Sequence, residues 1–460
     1  METSDLHLIN VSLPLFDSSA LFEIHVANGR YTKIARQDGW IDPPNSSFQD
    51  LVDLQAEPLS RFYQWDAKGK IMLPGLVDSH MHLDKAFSLP KVPNESGTLV
   101  EAVRNYRAMS PSFTLEEIKA RMYRAALQAL SYGTTHIRTH VDFNVAAGQD
   151  TALRNVQAAI EVKESLAPYL TIEVFPMCPY EWTRREVELV EEAIQMGVDG
   201  LGGAPHLSST PEEDIDHIFH LAAKHDLPID LHTDESDDPQ VRTVAYIAKK
   251  TEETDYQGRV VVDHLCSLSA MDDVVAGQLI EGMVEARLGA VTLPGANMYL
   301  QGRSDRGLVR RGVTRVRELL AAGIPVATAS DNIHDPFHPF GRGDLLVIAL
   351  LTAYATHMGS LSEQLTLLKM ITDVPASLIG SEEYGIACGR PANFVILDVC
   401  RPEDVLVKLP EGRWVYGAGR WISVSQKRLS WGISSLANRW NTLQSQQSAF
   451  NEGGSSVCLT

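Results

Sequence analysis

The sequence predicts an α/β protein in which a (β/α)8 barrel of the TIM type carries a small β-sandwich domain formed by both chain ends. From about residue 71, eight short apolar runs alternate with longer helical stretches, as in repeated strand and helix units. The segments on either side contain strand-like pieces without helical periodicity. A chain of 460 residues with 44% hydrophobic content can bury a core of this size.

The eight apolar runs are the candidate barrel strands. They are IMLPGLVDSHMH (71–82), THIRTHVDF (135–143), LTIEVFPMCP (170–179), VDGLGGAPH (198–206), LPIDLHTDE (227–235), VVVDHLCSL (260–268), GAVTLPGANM (289–298) and IPVATASDN (324–332). One intervening helix is indicated by an apolar stripe at helical spacing, formed by Leu115, Ile118, Met122 and Ala125. Gly133 follows where that helix would end.

The chain ends flank the barrel and predict the domain organisation. Residues 1–70 and 386–425 are expected to form the β domain, 71–385 the barrel, and 426–460 a helix with a mobile tail. The helix is predicted by apolar residues spaced four, three, four and three apart, namely Leu429, Ile433, Leu436, Trp440 and Leu443. Docking of this stripe on the barrel is favoured over a dimer seam, and a homo-oligomer stays open.

Charge and hydropathy exclude several classes of function. The formal net charge of -19 comes from scattered acidic residues, so a nucleic-acid partner is not expected. The sequence contains no apolar run of about 18 residues, and its N-terminus lacks a signal pattern, so neither a membrane span nor secretion is expected. We therefore expect a cytoplasmic protein with a small-molecule substrate.

Histidines and one aspartate close several of the predicted strands. His80 and His82 are two residues apart, so a strand would direct both to one face, although His-x-His alone is common on exposed strands. His232, His264 and Asp331 end the fifth, sixth and eighth runs. Because strand ends meet at one mouth of a barrel, these side chains should converge. Imidazoles with one carboxylate suit Zn²⁺ or Fe²⁺ and leave a position for water.

A carboxylate beside such a metal would move protons during hydrolysis. Glu235, three residues after His232, is the first candidate; Asp234 is the rival, and a solvated acidic loop is the third interpretation. Asp331 is a further group able to take a proton from the water. Three roles are compatible with the position of His264: a metal ligand, an electrostatic stabiliser of the attacked centre, or a core histidine.

Six segments in order resemble the amidohydrolase superfamily, specifically its cytosine deaminase-like branch. They are LPGLVDSHMHLDKAF, GTTHIRTHVD, DLHTDE, VDHLCSL, NMYLQGR and SDNIHDPFHPFGRGDLL. The resemblance implies one divalent metal, Zn or Fe, with His80, His82, His232 and Asp331 as ligands. It also implies Glu235 as proton shuttle and His264 beside the water and substrate. The third and fourth runs contain no lysine that could bridge two metals, which favours a single ion.

Three further residues are predicted to contact substrate. Met177 stands where cytosine deaminases resembling this chain place a glutamine, and a thioether cannot replace an amide in reading a pyrimidine edge. Phe337 stands where a larger ring is expected in a cytosine enzyme, so cytosine itself is disfavoured. Gln301 is predicted to hydrogen-bond substrate in the manner of the family.

The sequence therefore predicts a metal-dependent hydrolase of a non-peptide C–N bond, namely a deaminase or N-dealkylase of an amino-heterocycle. The alternative within enzymes is hydrolysis of an amide or cyclic amide. The alternative of another class is a metal-binding scaffold without turnover.

Overall fold

The computed structural model describes residues 5–43, 62–180 and 182–451. Its strands are β1 (Asp5–Leu13), β2 (Asp17–Ala27), β3 (Arg30–Arg36), β4 (Phe62–Asp66), β5 (Ile71–Pro74), β6 (Leu76–Met81), β7 (Thr134–Val141), β8 (Thr171–Pro176), β9 (Leu201–Gly203), β10 (Ile229–Thr233), β11 (Val260–His264), β12 (Gly289–Thr292), β13 (Val326–Thr328), β14 (Phe394–Leu397), β15 (Arg413–Gly417) and β16 (Arg420–Ser425).

The helices lie mostly between the strands β6 to β14. They are α1 (Leu99–Met109), α2 (Leu115–Ser131), α3 (Gln149–Leu166), α4 (Arg184–Gln195), α5 (Pro211–His225), α6 (Thr243–Glu253), α7 (Asp273–Glu285), α8 (Pro294–Leu300), α9 (Val316–Ala321), α10 (Leu345–Thr356), α11 (Leu361–Lys369), α12 (Asp373–Leu378), α13 (Pro402–Lys408) and α14 (Ser434–Asn451). None of these described helices is long and apolar enough to cross a bilayer.

Eight parallel strands alternate with helices, which confirms the α/β prediction. They form a three-stranded sheet in the order β6-β7-β8 and a five-stranded sheet in the order β13-β12-β11-β10-β9. Isolated parallel bridges join the sheets at both margins, between Met81 and Asp331 and between Met177 and Gly202. The ladder over the described residues is thus interrupted at two places, where the sequence predicted one closed barrel.

The first predicted strand is divided in two at Gly75. Residues before it form β5, which pairs with β14 and β1 in the chain-end sheet, and residues after it form β6 of the parallel sheet. A Cβ atom at position 75 would lie 2.1 Å from Oγ1 of Thr135, so only glycine fits there. The Pro-Gly step therefore carries the chain from one sheet to the other.

Strands from both chain ends pair with one another, as the sequence predicted, in one continuous hydrogen-bonded sheet of eight strands. Its order is β16-β15-β14-β5-β1-β2-β3, with β4 also paired to β1. The pairing of β1 with β2 changes register between Leu8 and Val11. On its other side, the first half of β1 pairs with β4 and Ser12 pairs with Ile71 of β5. A separate apolar core that includes Trp65, Trp414 and Trp421 lies within this sheet. The domain limits at residues 70, 385 and 425 stay predictions.

The helix predicted after the first strand is confirmed as α2. Its apolar residues Ile118, Met122 and Ala125 are buried in the main core. The side chain of Thr114 accepts a hydrogen bond from the backbone N–H of Glu117, which satisfies one of the free donors at the helix start. The left-handed φ of 104° at Gly133 follows the helix end.

The C-terminal helix forms, but its apolar stripe does not dock on the barrel. Leu436, Trp440 and Leu443 are 44%, 41% and 52% exposed, and Leu429 and Ile433 before the helix are also exposed. The favoured prediction of a docked helix is therefore wrong. The alternation of apolar and polar residues defines a helix face but carries no information on what covers that face. Residues 452–460 of the predicted mobile tail lie outside the described residues.

Candidate metal centre and substrate cavity

Five side chains predicted from separate strand ends lie together at the carboxyl ends of the parallel strands. His80 and His82 lie at the end of β6, His232 in β10, His264 at the end of β11, and Asp331 just after β13. The backbone N–H of Asp331 donates to His80 O at 2.9 Å, and that of His82 donates to Asp331 O at 3.3 Å. This bridge closes one margin between the two sheets and fixes the two ligand segments side by side.

Four of these side chains have the spacing of a metal-ligand set. Nε2 of His82 lies 3.1 Å from Nε2 of His232, while Oδ1 of Asp331 lies 3.4 Å from Nε2 of His82 and 3.6 Å from Nε2 of His80. Nitrogen and oxygen ligands about 2.1 Å from a central ion in tetrahedral geometry are about 3.4 Å apart. His80 Nε2 is buried and has no hydrogen-bond partner among the residues that the structure describes. The residues therefore fit a single divalent cation.

In two candidate ligands, the ring nitrogen Nδ1, which points away from the cluster centre, is held by a hydrogen bond. His80 Nδ1 donates to Oδ2 of Asp263 at 2.8 Å, and His82 Nδ1 donates to the carbonyl of His140 at 2.9 Å. A proton fixed on Nδ1 leaves the Nε2 lone pair available to a metal. Both rings are thus held in the tautomer that binding through Nε2 requires.

Electrostatics at this cluster favour a positive charge at its centre. Burial lowers the pKa of His80, yet the nearby Asp263 and Asp331 carboxylates together raise it well above the usual value. Burial and the Lys85 ammonium lower the pKa of His82 to about 3. Burial would raise the pKa of Asp331, but hydrogen bonds from His80 and His82 hold it well below its usual range. Asp331 is therefore ionised beside the neutral ring of His82, and the two carboxylates near His80 favour a positive charge at that ring, whether a proton or a metal ion supplies it.

The structure separates the two candidates for the proton shuttle. Asp234 accepts hydrogen bonds from the backbone N–H and hydroxyl of Thr243, at 2.7 and 2.6 Å, and so stabilises the start of α6. Glu235 instead lines the cavity, where its Oε1 lies 3.6 Å from Nδ1 of His264. Burial, followed by repulsion from Asp331, raises the pKa of Glu235 well above its usual value. Only Glu235 of this pair can reach a bound ligand.

His264 lines the same cavity as Glu235, and its Nδ1 has a hydrogen-bond partner. The side-chain amide of Asn297 lies 2.8 Å from that nitrogen, and both residues are fully buried. Burial lowers the pKa of His264 to about 3, so its ring is neutral at physiological pH. Its backbone has a left-handed φ of 64°, uncommon for a residue with a side chain and frequent at functional sites.

A cavity of about 300 Å³ opens above the cluster and holds two of the three residues predicted to contact substrate. Met177 and Phe337 line it. Gln301 is absent from the described lining and packs against Gly312, and Leu300 occupies the wall in its place. The position of the motif in the sequence did not show which of Leu300 and Gln301 would face the cavity.

Lys85, three residues after His82, also lines the cavity. Its Nζ lies 5.2 Å from the ring centre of Phe337 and 5.8 Å from that of Tyr106. Among the residues described, no carboxylate oxygen comes within 4.0 Å of this ammonium group, and the residue is only 6% exposed. Its Nζ lies 3.3 Å from Nδ1 of His82, so this ammonium group stands between the candidate metal ligands and the cavity.

Two further residues of the centre were missed from the sequence. Asp263 and Asn297 stand within the quoted segments VDHLCSL and NMYLQGR, but their partners His80 and His264 are distant in sequence. Polar residues at buried strand and helix positions were the available signal, since such groups need a partner.

Comparison with known proteins gives a consistent result. The model of the amidohydrolase family matches residues 65–158 and 106–418. The chain is 30% identical to a pterin deaminase of Rhizobium rhizogenes over 78% of this chain and 82% of that protein. It is also 30% identical to the N-isopropylammelide isopropyl amidohydrolase of a Pseudomonas species, over 77% and 86% of the two chains.

A solved structure is similar over almost the whole chain. It is the 5-methylcytosine deaminase of Klebsiella pneumoniae liganded with 5-fluorocytosine, with 28% identity and a TM-score of 0.81 over 93% of this chain and 99% of that one. The match covers both the parallel strands and the chain-end sheet. With the family match and the two relatives, it shows that this chain belongs to the amidohydrolase family and is a hydrolase of carbon–nitrogen bonds other than peptide bonds.

Proposed function

We propose that this hydrolase deaminates or N-dealkylates an amino-heterocycle with one divalent metal ion, zinc or iron. The observation that carries the proposal is the chain of contacts that links four side chains: Asp331 lies 3.4–3.6 Å from His82 and His80, and His82 lies 3.1 Å from His232. Glu235 lines the same cavity. The relatives support the substrate class, because their names specify pterin, N-isopropylammelide and 5-methylcytosine.

The proposed roles follow from the geometry. His80, His82, His232 and Asp331 would hold the cation, which acidifies water and so supplies a nucleophile near neutral pH. Glu235 would carry a proton from the water to the leaving nitrogen. Its raised pKa supports this, because a carboxyl group must be able to hold that proton before transferring it.

The cavity supports a heterocycle other than cytosine. Its lining is mixed, with Met177 and Phe337 as apolar surfaces and Lys85 as a cation. A thioether at position 177 cannot donate and accept hydrogen bonds as an amide would. We therefore propose a pterin or a triazine, and not cytosine, as the substrate. We also propose a cytoplasmic location and no nucleic-acid partner.

A product screen tests the proposal. Purified protein is analysed for bound metal and then assayed with pterin, N-isopropylammelide, 5-methylcytosine, cytosine and a small cyclic amide. Release of ammonia or isopropylamine without a new carboxylate is expected, with one metal ion per chain. A new carboxylate from the cyclic amide alone would instead support the amide alternative.

The Glu235→Gln variant separates an enzyme from a scaffold. Because Glu235 lies outside the ligand set, the variant should keep its metal and lose activity by about 100-fold or more. The matched control is Glu188→Gln on the exposed face of α4, where Glu188 pairs with Arg184. Equal activity in both variants would contradict the shuttle, and inactivity of the metal-loaded wild type on every compound would favour the scaffold.

A further inference from the structure

A buried contact between Asn297 and His264 has a consequence for the role of His264. The side-chain nitrogen of Asn297 lies 2.8 Å from Nδ1 of His264, and neither side chain is more than 1% exposed. An amide nitrogen can only donate a hydrogen bond, so Nδ1 must accept it with a lone pair. A neutral imidazole that accepts at Nδ1 carries its proton on Nε2.

We propose that Asn297 is a positioning residue that holds His264 in the tautomer with its proton on Nε2, so that His264 faces the substrate as a hydrogen-bond donor. Nε2 of His264 has no partner among the described residues, and the ring lines the cavity. The same proton occupies the nitrogen that a metal would need. His264 is therefore excluded from the ligand set, although His80, His232 and His264 lie close enough to hold an ion.

The positions of the two residues make the contact rigid. Asn297 lies in the middle of α8, where its backbone N–H donates to Leu293 O at 3.0 Å and its carbonyl accepts from Gln301 N at 2.9 Å. His264 ends β11 and is followed by Leu265, whose N–H donates to Thr233 O at 2.9 Å. Both backbones are fixed by hydrogen bonds, so the side chains meet without a mobile loop.

The proposed donor suits the proposed reaction. Attack on a heterocycle carbon adds electron density to that ring, and a fixed N–H in a dry cavity stabilises developing charge better than water does. Glu235 lies 3.6 Å from Nδ1 of the same ring, beyond hydrogen-bond distance, and stays free to carry protons. One side of the ring is thus held by Asn297 and the other serves the substrate.

Nitrogen NMR of the zinc-loaded protein tests the tautomer without any substrate. Protein labelled with ¹⁵N-histidine is compared with its His264→Gln variant, which identifies the signals of His264. The expected result is a protonated Nε2 and an unprotonated Nδ1. In Asn297→Asp, of almost the same shape, the carboxylate should accept a proton from Nδ1, so the proton is expected to move there or the ring to become doubly protonated. A wild-type ring with its proton on Nδ1 would overturn the proposal.

Kinetics supply the second readout, and this part rests on the proposed function. Asn297→Asp should keep one metal ion per chain, change KM by less than about threefold and lower kcat by about 100-fold, the loss typical of one donor to developing charge. Asn10→Asp is the matched control, because Asn10 is fully buried in the chain-end sheet and donates to Asp66 Oδ1 at 2.9 Å. It should lower stability and leave kcat unchanged. Wild-type kcat in Asn297→Asp would contradict the positioning role, whereas inactivity of the wild type on every compound would count against the proposed function and leave the tautomer result standing.

Discussion

Oδ2 of Asp263 accepts a hydrogen bond from Nδ1 of His80 at 2.8 Å, on the side of the ring away from the candidate metal position, and both side chains are fully buried. Carboxylates in this position orient a histidine ligand and increase its basicity. The two residues lie on separate strands, β6 and β11, so the contact also joins the two parallel sheets across the interior.

Replacing Asp263 should weaken metal binding. In Asp263→Asn the amide still reaches Nδ1 but lacks the negative charge, so zinc affinity is expected to fall about 10- to 100-fold. Competition with a chromophoric chelator measures this affinity. Asp344→Asn provides a control, since that buried aspartate pairs with Arg413 away from the cluster. Equal zinc affinity in Asp263→Asn and wild type would show that Asp263 only fills space.

The ion pair between Arg413 and Asp344 is predicted to stabilise the whole chain. The Arg413 guanidinium donates to both carboxylate oxygens of Asp344 at 2.9 Å. The Arg413 side chain is 3% exposed and the Asp344 side chain 2%. The pair joins β15 of the chain-end sheet to the start of α10. Removing Arg413 leaves the buried Asp344 carboxylate with the half-exposed Arg342, 3.5 Å away, as its remaining ion-pair partner among the described residues.

Arg413→Met should therefore lower the free energy of unfolding by about 3–5 kcal/mol. Urea unfolding followed by tryptophan fluorescence measures the loss. The double variant Arg413→Met/Asp344→Leu should recover part of it, because no buried charge remains. A loss of the same size in both variants would mean that packing, and not the buried carboxylate, is responsible.

The convergence of the four candidate ligands could be predicted from the sequence because it follows local rules. His80, His82, His232 and Asp331 close strands, and parallel strands deliver their ends to one mouth whatever their separation in sequence. The positions of Gln301 and Lys85 could not be predicted in this way. Each depends on how a loop packs after the strand, which is set by contacts such as that between Gln301 and Gly312.

The sheet and helix at the chain ends show a second limit. Alternating apolar residues predicted strands in both end segments, but they did not indicate that β1 would pair with β4 along its first half and with β5 at Ser12. The stripe at Leu436, Trp440 and Leu443 predicted α14 correctly and its docking wrongly. Periodicity defines a face, and tertiary contacts decide its partner.

His136 is predicted to make the protein less stable in mild acid. Burial lowers the pKa of this histidine in β7 to about 4, against 6.5 for an unfolded chain. Between these values the unfolded chain binds the proton more readily than the folded one. The stabilisation that neutral His136 provides is thus complete above pH 6.5 and is lost as the pH falls towards 4.

The His136→Gln variant isolates this effect. The difference in unfolding free energy between wild type and variant should fall by roughly 1.4 kcal/mol for each pH unit below 6.5. Urea unfolding at pH 7.5, 6.0 and 5.0 measures it. A difference that stays constant over this range would show that His136 is protonated equally in both states.

The turn at Gly75 gives a prediction about steric fit. In Gly75→Ala the new Cβ would lie 2.1 Å from Oγ1 of Thr135 and 2.6 Å from its Cγ2, so the backbone between β5 and β6 must shift. We expect a loss of about 1–3 kcal/mol in the free energy of unfolding, since added atoms strain a packed core. Because β6 carries His80, zinc affinity should fall as well.

A double-mutant cycle separates this clash from other effects of the substitution. Thr135→Ala removes the two nearest atoms, so Gly75→Ala should cost less in the Thr135→Ala background than in the wild type. Gly277→Ala in α7 is the control: its Cβ would meet no atom within 4 Å, and alanine should stabilise the helix by up to about 1 kcal/mol. Additive effects at positions 75 and 135 would rule out the clash and leave backbone conformation as the reason for glycine at this turn.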